Sequence, residues 1–447
     1  MRVAFHTLGC KVNQYETEAI KEAFVSHGAE IVSGDEPADI YIVNTCTVTN
    51  IADRKSRQYI RRMKSVCPDA LMIVTGCYAQ VSPDDVAAMP EVDLVIGNNQ
   101  KSKICELAME RLEEAAGATA AGKAADVMVI PRDGLTFYED MGRVSSSAEG
   151  MVRAYVKIQD GCDRFCTYCL IPYARGPVRS RPAAEIVEEV RSLVGAGFRE
   201  VILTGINTAL YGTEDGAECS LSELLTMLDG LETDTDFRVR LSSLEPTVVD
   251  RDHVEEIIRH KRLCHHLHLS VQNGSDSVLR AMNRHYTREE YLDIVRMLRE
   301  YDPLFGITTD IIVGFPGETD EDFRQTLDLV REAGFGKVHV FRYSPRKGTV
   351  GAGLPDAVPG DVKNRRADEL ERAASEAAKS FLEKNTGVVH KVLVEEISGG
   401  IAEGYTDNYI KTRIDCGPAA VRPGSFCEAV LTETDGEGCT AVPAEGH

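Results

Sequence analysis

Three cysteines stand close together in the segment Cys162-Asp-Arg-Phe-Cys166-Thr-Tyr-Cys169. A short loop with this spacing brings three thiolates to one metal centre. A structural zinc site takes four ligands, commonly as two distant pairs, and no Cys or His follows this segment before Cys219. When three thiolates bind a four-iron cluster, one iron stays open for a substrate. The spacing therefore favours an iron–sulfur cluster with an open iron, and zinc with a distant fourth ligand is the alternative.

Three further cysteines each come just after a short apolar run that is typical of a strand. They are Cys10 after Val3–Leu8, Cys46 after Ile40–Asn44 and Cys77 after Leu71–Thr75. The carboxyl ends of parallel strands meet at one edge of a sheet, and Gly9 and Gly76 let the backbone turn close to a bulky centre. Free cysteine is among the most buried residue types, so three unrelated buried thiols are the alternative. The matched positions after three strands favour a second cluster.

The elements that must position these thiols form three domains. The first segment alternates strand-like runs with helices, which is typical of an open parallel α/β sheet with helices on both faces. Six more strand–helix units predict a partial (β/α)6 barrel with its chemistry at the carboxyl ends of the strands. The glycine-separated runs of the tail predict a small β-barrel or sandwich. We expect the N-terminal domain at 1–114, a linker at 115–144, the barrel with its following helix at 145–385 and the β domain at 386–447.

The six strands expected in the barrel are named for comparison with the structure. They are Val152–Gln159, Val201–Ile206, Arg238–Leu244, His266–Gln272, Gly306–Phe315 and Lys337–Ser344. His265, His266 and His268 form a tempting metal-binding group at one of them. On a strand, residues 266 and 268 share one face while 265 points the other way. All three cannot bind one ion, so we expect core or surface histidines.

The composition limits the class of protein. The 447 residues carry 50 Lys and Arg against 71 Asp and Glu, a formal charge of −21, and 43% of them are apolar. These proportions exclude a disordered or fibrous chain, and an acidic total argues against non-specific binding of nucleic acid. The 13 cysteines are too scattered for a secreted disulfide scaffold, and no apolar run approaches the ~18 residues of a bilayer span. We therefore expect a cytoplasmic protein with no membrane partner.

Local charge departs from the acidic total in three segments. Residues 54–64 and 337–347 carry Lys and Arg without any acid, and residues 162–181 carry four Arg against Asp163 alone. Such runs predict phosphate contacts, with a solvated helix face as the alternative. The candidate RNA-binding residues are Arg54, Lys55, Arg57, Arg61, Arg342, Arg346 and Lys347.

The tail is acidic, with four Lys and Arg against ten Asp and Glu from Val388 onward. If it contacts RNA, we expect basic and aromatic side chains to do so together. These side chains are Lys411, Arg413, Tyr405 and Tyr409.

The first cysteine segment, with the aromatic Tyr168 before Cys169, resembles the signature of the radical S-adenosylmethionine (SAM) enzymes. The resemblance implies that the open iron binds the amino and carboxylate groups of SAM. It also implies that one electron entering the cluster releases a 5′-deoxyadenosyl radical. These enzymes use the partial barrel that the strand–helix alternation predicts.

Longer strings resemble the methylthiotransferases, a branch of the radical SAM enzymes with two four-iron clusters. In the first domain the strings are TLGCKVNQYETE (7–18), NTCTVTNIADRKSRQ (44–58) and GCYAQ (76–80). In the barrel they are LSSLEP (241–246), VQNGSDSVLRAMNRHYT (271–287), IIVGFPGET (311–319) and FRYSPRKGT (341–349). In the tail, GYTDNYIKT (404–412) resembles the small RNA-binding, TRAM-like β-barrel of these enzymes.

The resemblance assigns the two cysteine trios to two [4Fe-4S] clusters. Cys162, Cys166 and Cys169 match the ligands of the SAM-cleaving cluster, and Cys10, Cys46 and Cys77 match those of the auxiliary cluster, whose open iron would carry the transferred sulfur. For SAM itself, strand ends and the aromatic beside the cluster supply candidates, with turn residues or solvated carboxylates as the alternative. The candidates are Tyr168, Gly205, Glu245, Gln272 and Glu318.

The first strings most resemble the branch that converts N6-threonylcarbamoyladenosine at position 37 of tRNA to its 2-methylthio derivative. Sister branches act on isopentenyl-adenosine in tRNA or on an aspartate of a ribosomal protein, and either substrate is an alternative. A non-catalytic iron–sulfur or zinc RNA-binding protein is a further alternative. The implied partners are tRNA, a one-electron reductant such as a flavodoxin or ferredoxin, and a sulfur donor.

Overall fold

The first domain is built on a parallel sheet, because its apolar runs are short and are separated by helices. The computed structural model describes residues 1–47, 50–117, 125–142, 144, 152–246, 251–416 and 421–444. The strands are β1 (Arg2–Thr7), β2 (Glu30–Val32), β3 (Ile40–Thr45), β4 (Leu71–Gly76), β5 (Leu94–Ile96) and β6 (Asp126–Met128). They lie in the order β2-β1-β3-β4-β5-β6 and every pairing is parallel. The predicted open sheet is confirmed.

Helices cover both faces of this sheet. They are α1 (Lys11–Ser26), α2 (Asn50–Val66), α3 (Cys77–Val81), α4 (Pro83–Ala87) and α5 (Ile104–Gly117). Successive residues of β3 alternate between two apolar clusters: Tyr41 and Val43 belong to one, Ile40 and Ile42 to the other. This alternation follows from the two-residue repeat of a strand. β6 lies inside the stretch predicted as a linker, 115–144, of which residues 118–124 and 143 lie outside the described residues.

The second domain is a partial parallel barrel. Its strands, with the intervening ribbon, are β7 (Arg153–Lys157), β8 (Gln159–Asp160), β9 (Arg179–Ser180), β10 (Glu200–Thr204), β11 (Arg238–Leu241), β12 (Ser243–Leu244), β13 (His266–Leu269), β14 (Gly306–Val313) and β15 (Lys337–Arg342). β11-β10-β7 and β12-β13-β14-β15 are parallel sheets, and β8 pairs with β9 in an antiparallel ribbon. The run predicted as one strand, 238–244, is interrupted at Ser242. The predicted six-unit partial barrel is confirmed.

Helices pack outside the barrel strands around one large apolar core. They are α6 (Ile171–Arg175), α7 (Ala183–Gly195), α8 (Leu221–Asp229), α9 (Arg251–Ile257), α10 (Asp276–Ala281), α11 (Arg288–Tyr301), α12 (Asp320–Ala333) and α13 (Gly360–Asn385). The helix predicted from Val248 is described only from Arg251, because residues 247–250 lie outside the described residues. Among the helices of the described residues, none has the length and apolarity of a membrane span.

The third domain is a closed five-stranded barrel. Its strands are β16 (Val389–Ser398), β17 (Ile401–Tyr405), β18 (Lys411–Asp415), β19 (Phe426–Thr434) and β20 (Cys439–Pro443). They close in the order β16-β17-β18-β20-β19. Alternate residues such as Val392, Val394 and Ile414 fill the interior, as the strand repeat requires. Of the two architectures predicted for the tail, the barrel is confirmed.

The loop between β17 and β18 closes the amino-terminal end of the partial barrel. Arg238 and Arg240 at the start of β11 donate hydrogen bonds to carbonyl oxygens of this loop and of β16. The rings of Tyr405 and Tyr409 stack at 5.1 Å, and the Arg240 guanidinium lies 4.8 Å from the Tyr409 ring centroid. Both tyrosines thus pack against barrel arginines instead of standing on an open face. Both rings stay partly exposed, so their stacking on RNA bases, should this domain contact RNA, stays a prediction.

Candidate metal centres and active site

The loop that follows β8 carries the compact trio Cys162, Cys166 and Cys169. The Cys169 amide donates to the Cys166 carbonyl at 2.9 Å, so the loop turns tightly between them. Burial, together with the charges of Glu245 and the neighbouring Cys166 thiol, raises the pKa of Cys162 to about 12. Each thiol of the trio acts on another in this way, because the three lie close together. The structure therefore brings the predicted loop trio to one place.

The turn at the end of α10 holds this loop from the opposite side. The Thr167 amide donates to the Met282 carbonyl at 3.0 Å, and the Asn283 side chain donates to the carbonyls of Arg164 and Phe165. Asn283 and Phe165 both adopt positive φ angles, which are uncommon for residues other than glycine. The backbone of the cysteine loop is therefore tied to this turn by main-chain and side-chain hydrogen bonds.

Arg284, in the same turn, contacts the loop trio directly. Its guanidinium donates to Cys166 Sγ at 3.6 Å and pairs with Glu245 at 2.5 Å. Glu245 also accepts a hydrogen bond from the Asn207 side chain at 3.1 Å. The sequence reasoning found Glu245 and missed Arg284 and Asn207. Arg284 lies within segment 271–287, which resembles the methylthiotransferases. A lone arginine there has no spacing pattern that would mark it as a site residue.

The five SAM candidates separate into two groups. Tyr168 and Gln272 line a cavity of about 190 Å³ together with Cys169, and Glu245 reaches the trio through Arg284. Gly205 instead packs against the Gln159 side chain, where an added Cβ would lie 2.8 Å from the amide oxygen.

The fifth candidate, Glu318, is fully engaged away from the cysteines. It accepts hydrogen bonds from the Gly314 amide, the Asn273 side chain and Arg366. It thereby ties the turn after β14 to α13. Burial raises the pKa of Glu318, and these donors act in the opposite direction.

The second trio converges at the carboxyl edge of the first sheet. Cys10 caps the start of α1, Cys46 follows β3 and Cys77 begins α3. Gly9 has a φ of 112°, and a Cβ there would lie 3.1 Å from Cys46 Sγ. Gly76 has a φ of 95°, and a Cβ there would lie 2.3 Å from the Thr45 carbonyl. Both glycines are required by close backbone approach, as the sequence predicts.

Two thiols of this trio, those of Cys10 and Cys77, are close enough to interact electrostatically. Burial raises the pKa of Cys10, and the Cys77 thiol raises it further while Arg175 lowers it. Three convergent sulfur ligands in each trio fit a four-iron cluster that keeps one iron open. This donor set is the observation that favours iron–sulfur clusters at both places.

A buried ionic network lies beneath the second trio and was not predicted. Glu16 of α1 pairs with Lys101, Lys157 and Arg175, and Asp160 pairs with Lys157 and Arg175. All five side chains are at most 4% exposed. Burial opposes the ionisation of Glu16, but the three cations hold its pKa well below its usual value. The network joins α1 to the barrel.

Arg175 links this network to the second trio. Its Nε donates to Cys77 Sγ at 3.4 Å, and its terminal nitrogens bond Asn13 and Glu16. Asn98 also lies against Cys77, at 3.8 Å, and donates to the Ala174 carbonyl. α6, a few residues after the loop trio, therefore reaches the other trio.

The basic run 162–181 was predicted as a phosphate-contacting surface, and this prediction was wrong. Arg175, Arg179 and Arg181 are at most 5% exposed. Arg181 pairs with Glu189, and Arg179 donates to three carbonyl oxygens. The carboxylates that neutralise these arginines come from other segments, so the local sequence count missed them.

The seven RNA candidates lie on two adjacent segments. Arg54, Lys55 and Arg61 on α2, Arg342 at the end of β15 and Lys347 after it are exposed. Arg57 is partly buried and donates to the Tyr78 hydroxyl at 3.1 Å. Arg346 is only 6% exposed and bonds Thr47 and Asp53. Arg346 therefore joins the first domain to the barrel, which removes it from the accessible basic surface.

The histidines of β13 behave as expected from the strand repeat. His266 and His268 both bond the Thr308 hydroxyl at 3.0 Å, whereas His265 pairs with Asp302 on the other side. His268 also bonds Asp310 at 3.1 Å. His339 completes a group with His268 and Asp310 whose ligand atoms lie within 4.8 Å of one another.

Comparison with known proteins supports this arrangement. The profile of the Radical SAM superfamily matches residues 156–330, and that of the uncharacterized protein family UPF0004 matches residues 2–97. These two ranges contain the loop trio and the dispersed trio, respectively.

Curated relatives match nearly the whole chain. The Threonylcarbamoyladenosine tRNA methylthiotransferase MtaB of Bacillus subtilis (strain 168) is 40% identical, covering 92% of this chain and 89% of its own. The MtaB of Thermotoga maritima is 38% identical and covers 99% and 98%. A tRNA-2-methylthio-N(6)-dimethylallyladenosine synthase of Pelotomaculum thermopropionicum is 37% identical and covers 87% and 85%.

A solved structure shares the fold. The radical S-adenosylmethionine methyltransferase TsrM from Kitasatospora setae, with cobalamin and a [4Fe-4S] cluster bound, aligns with a TM-score of 0.57 at 15% identity. The alignment covers 90% of this chain and 80% of that one. At this identity the likeness concerns the fold alone.

Proposed function

This chain belongs to the radical SAM methylthiotransferase family, and we propose that it methylthiolates N6-threonylcarbamoyladenosine at position 37 of tRNA. The support for the substrate is that relatives named for this activity are 35–40% identical and cover most of the chain. The observation that carries the reaction type is the convergence of two thiol trios in one chain. The relatives that act on dimethylallyladenosine make that nucleoside the second candidate substrate.

We propose that Cys162, Cys166 and Cys169 bind the SAM-cleaving cluster, and that the other trio, Cys10, Cys46 and Cys77, binds the auxiliary cluster. With SAM bound, these groups supply a carbon radical, a sulfur atom and a methyl group, because side-chain acid–base catalysis cannot activate an aromatic C–H bond.

The chain itself positions these groups and excludes water. The turn after α10 fixes the loop trio, and Arg284 presents a buried cation beside Cys166. Tyr168 and Gln272 line the cavity next to Cys169, so we propose that SAM and the adenine occupy this side of the trio. Thr47 of the first domain lines the same cavity, which supports a substrate space between the two domains that carry the trios.

The exposed basic residues of two segments form a candidate tRNA surface. The contact of Arg346 with Asp53 joins α2 to the segment after β15, so the two basic runs lie side by side. We propose that Arg54, Lys55, Arg57, Arg61, Arg342 and Lys347 contact phosphates there. The reaction also requires a one-electron reductant, such as a flavodoxin or ferredoxin, and a sulfur donor, and a tRNA substrate implies a cytoplasmic location.

Metal analysis of anaerobically prepared protein tests the cofactor part. We expect about eight irons per chain, of which roughly half are lost when Cys162, Cys166 and Cys169 are all changed to Ala. The matched control changes three cysteines outside both trios, Cys67, Cys219 and Cys427, to Ala. It should leave the iron content unchanged. Zinc as the native metal would contradict the proposal.

Nucleoside mass spectrometry of tRNA tests the substrate. In cells that lack this protein and have no second such enzyme, we expect the 2-methylthio derivative of N6-threonylcarbamoyladenosine to disappear and its precursor to accumulate. Loss of the 2-methylthio derivative of dimethylallyladenosine instead would establish the second candidate. If neither nucleoside is lost, the proposal that this protein acts on tRNA is refuted.

A further inference from the structure

Lys11 places an ammonium group inside the partial barrel. It is the first residue of α1, directly after Cys10, and it is partly buried. Its Nζ lies 6.0 Å from the centroid of the Tyr155 ring, on the inward side of β7. Within the described residues, Lys11 has neither a hydrogen-bond partner nor an ion-pair partner. It differs in this from Lys101 and Lys157, which are both paired with Glu16.

The charged side chains around Lys11 do not neutralise the positive charge of its ammonium group. Arg240, Arg153 and Glu200 are the charged side chains with the strongest electrostatic effect on its ammonium group. Glu200 is shared between two guanidinium groups, those of Arg238 and Arg240, and Arg153 pairs with Glu395. A surplus of positive charge therefore remains next to Tyr155. A cation removed from water is costly unless an anion pairs with it.

The opposite wall of the barrel interior provides hydrogen-bonding groups. His339 of β15 is within electrostatic range of Lys11, and Asp310 of β14 accepts hydrogen bonds from His268 and Ser270. Asp310 also lines the cavity that contains Cys169 and Gln272. Through His339 and Asp310, the polar groups of this wall extend from the neighbourhood of Lys11 to the cavity at the loop trio, and Lys11 itself directly follows Cys10 of the other trio.

We propose that Lys11 binds the carboxylate of the threonylcarbamoyl group and is the residue that selects this nucleoside. The proposal rests on the proposed function, because it assumes that the modified adenosine enters between the two trios. The threonylcarbamoyl group carries a carboxylate and a hydroxyl, whereas a dimethylallyl group carries no polar atom. A site with a buried cation rejects a ligand that leaves the cation unpaired.

The test compares RNAs that differ only at this group. Anticodon stem-loops would carry N6-threonylcarbamoyladenosine, its methyl ester or dimethylallyladenosine, and their dissociation constants would be measured on the cluster-loaded protein without SAM. We expect the wild-type protein to bind the acid about 10- to 100-fold more tightly than the ester, since hydrogen bonds to charged groups have this strength. In Lys11→Met the ratio should approach one, and in Lys11→Arg it should persist.

The control is Lys21→Met on the same helix, because Lys21 pairs with Glu18 outside the barrel. It should keep the wild-type ratio. The ratio compares two RNAs on one protein sample, so any loss of iron next to Cys10 affects both RNAs equally.

Three outcomes are distinguishable. A Lys11→Met protein that keeps the wild-type preference for the acid overturns the assignment of Lys11. A wild-type protein with no preference between acid and ester also overturns it, while methylthiolation of both RNAs would leave the proposed function intact. A wild-type protein that modifies only the dimethylallyl RNA refutes the proposed substrate itself.

Discussion

The two cysteine trios are built in opposite ways. The loop trio occupies a single loop, and hydrogen bonds with the turn after α10, with Gly176 and with Gly351 hold it. The dispersed trio spans 67 positions from Cys10 to Cys77 and exists only because three parallel strands end at the same edge. A local site needs little besides its own loop, whereas a dispersed site depends on everything that packs the strands together.

The dispersed trio also depends on the barrel domain. Arg175 contacts Cys77 and shares Glu16 with two lysines from different segments. A buried charge that loses its partner destabilises a protein far more than an exposed one does. The dispersed trio and the packing of the two domains therefore form one structural unit.

The largest expected effect is the loss of the second site through Arg175→Met. This change leaves Glu16 and Asp160 short of a cation, which costs about 3–5 kcal/mol of unfolding free energy. We expect roughly half of the iron to be lost, while reductive cleavage of SAM without tRNA persists at the loop trio. Iron content, chemical denaturation and 5′-deoxyadenosine formation are the measurements.

The control for this variant is Arg164→Met in the cysteine loop. Arg164 makes an ion pair with Asp163, which is half exposed, so its loss should cost less than about 1 kcal/mol. An equal loss of iron from both trios in Arg175→Met would contradict the distinction between them.

The next effect is confined to the loop trio and follows from Arg284→Met. Glu245 would lose its buried cation, so we expect weaker SAM binding by about 1.5–3 kcal/mol with the second site intact. The double variant with Glu245→Gln should recover part of this loss, because the uncompensated carboxylate is gone. Isothermal titration with SAM measures both, and strictly additive effects would show that the pair acts independently.

A smaller effect distinguishes Arg346, which joins the two domains, from the exposed basic residue beside it. Arg346→Met should lower the unfolding free energy by about 1–3 kcal/mol, because it leaves Asp53 without its partner. The change Lys347→Met, at the exposed neighbouring residue, should leave the unfolding free energy unchanged. It should reduce the slope of log tRNA affinity against log salt concentration by about one unit. Equal effects on RNA binding would place Arg346 on the RNA surface after all.

The smallest effect concerns the acidic β domain. Lys411 pairs with Glu403 and Arg413 with Asp435, all partly exposed. Their replacement by Ala should change the unfolding free energy by less than about 1 kcal/mol, and tRNA binding should stay within a factor of about two. A large drop in tRNA affinity would show that this domain contacts RNA despite its charge.

Much of the fold was predictable because its elements are locally encoded. The four main strands of the first sheet and the six units of the barrel follow from apolar periodicity. The edge strands β2 and β6 were missed, because their three residues are partly or fully exposed, whereas the equally short β5 is wholly buried and apolar. The interruption of the strand at Ser242 was missed as well, since the run 238–244 contains no Gly or Pro that would mark it.

Charge was predicted less well than topology. The run 162–181 has four arginines and one acid in sequence, but three of the arginines are buried against carbonyl oxygens or against carboxylates that lie outside the run. Tyr405 and Tyr409 lie against arginines of the barrel for the same reason. Local counting identifies charges and aromatic rings, but their partners are set by the tertiary contacts.

The sequence by itself determined the ligands: which thiols exist, the spacing of one trio within a loop, and the position of the other at three strand ends. The glycines that permit close approach, Gly9 and Gly76, also follow from sequence. Only the tertiary structure decided that Arg175 reaches Cys77, that Arg284 reaches Cys166 and that Lys11 enters the barrel without a partner. The physical reason is that bonds along the chain define local geometry, whereas the cost of burying a charge depends on which distant groups surround it.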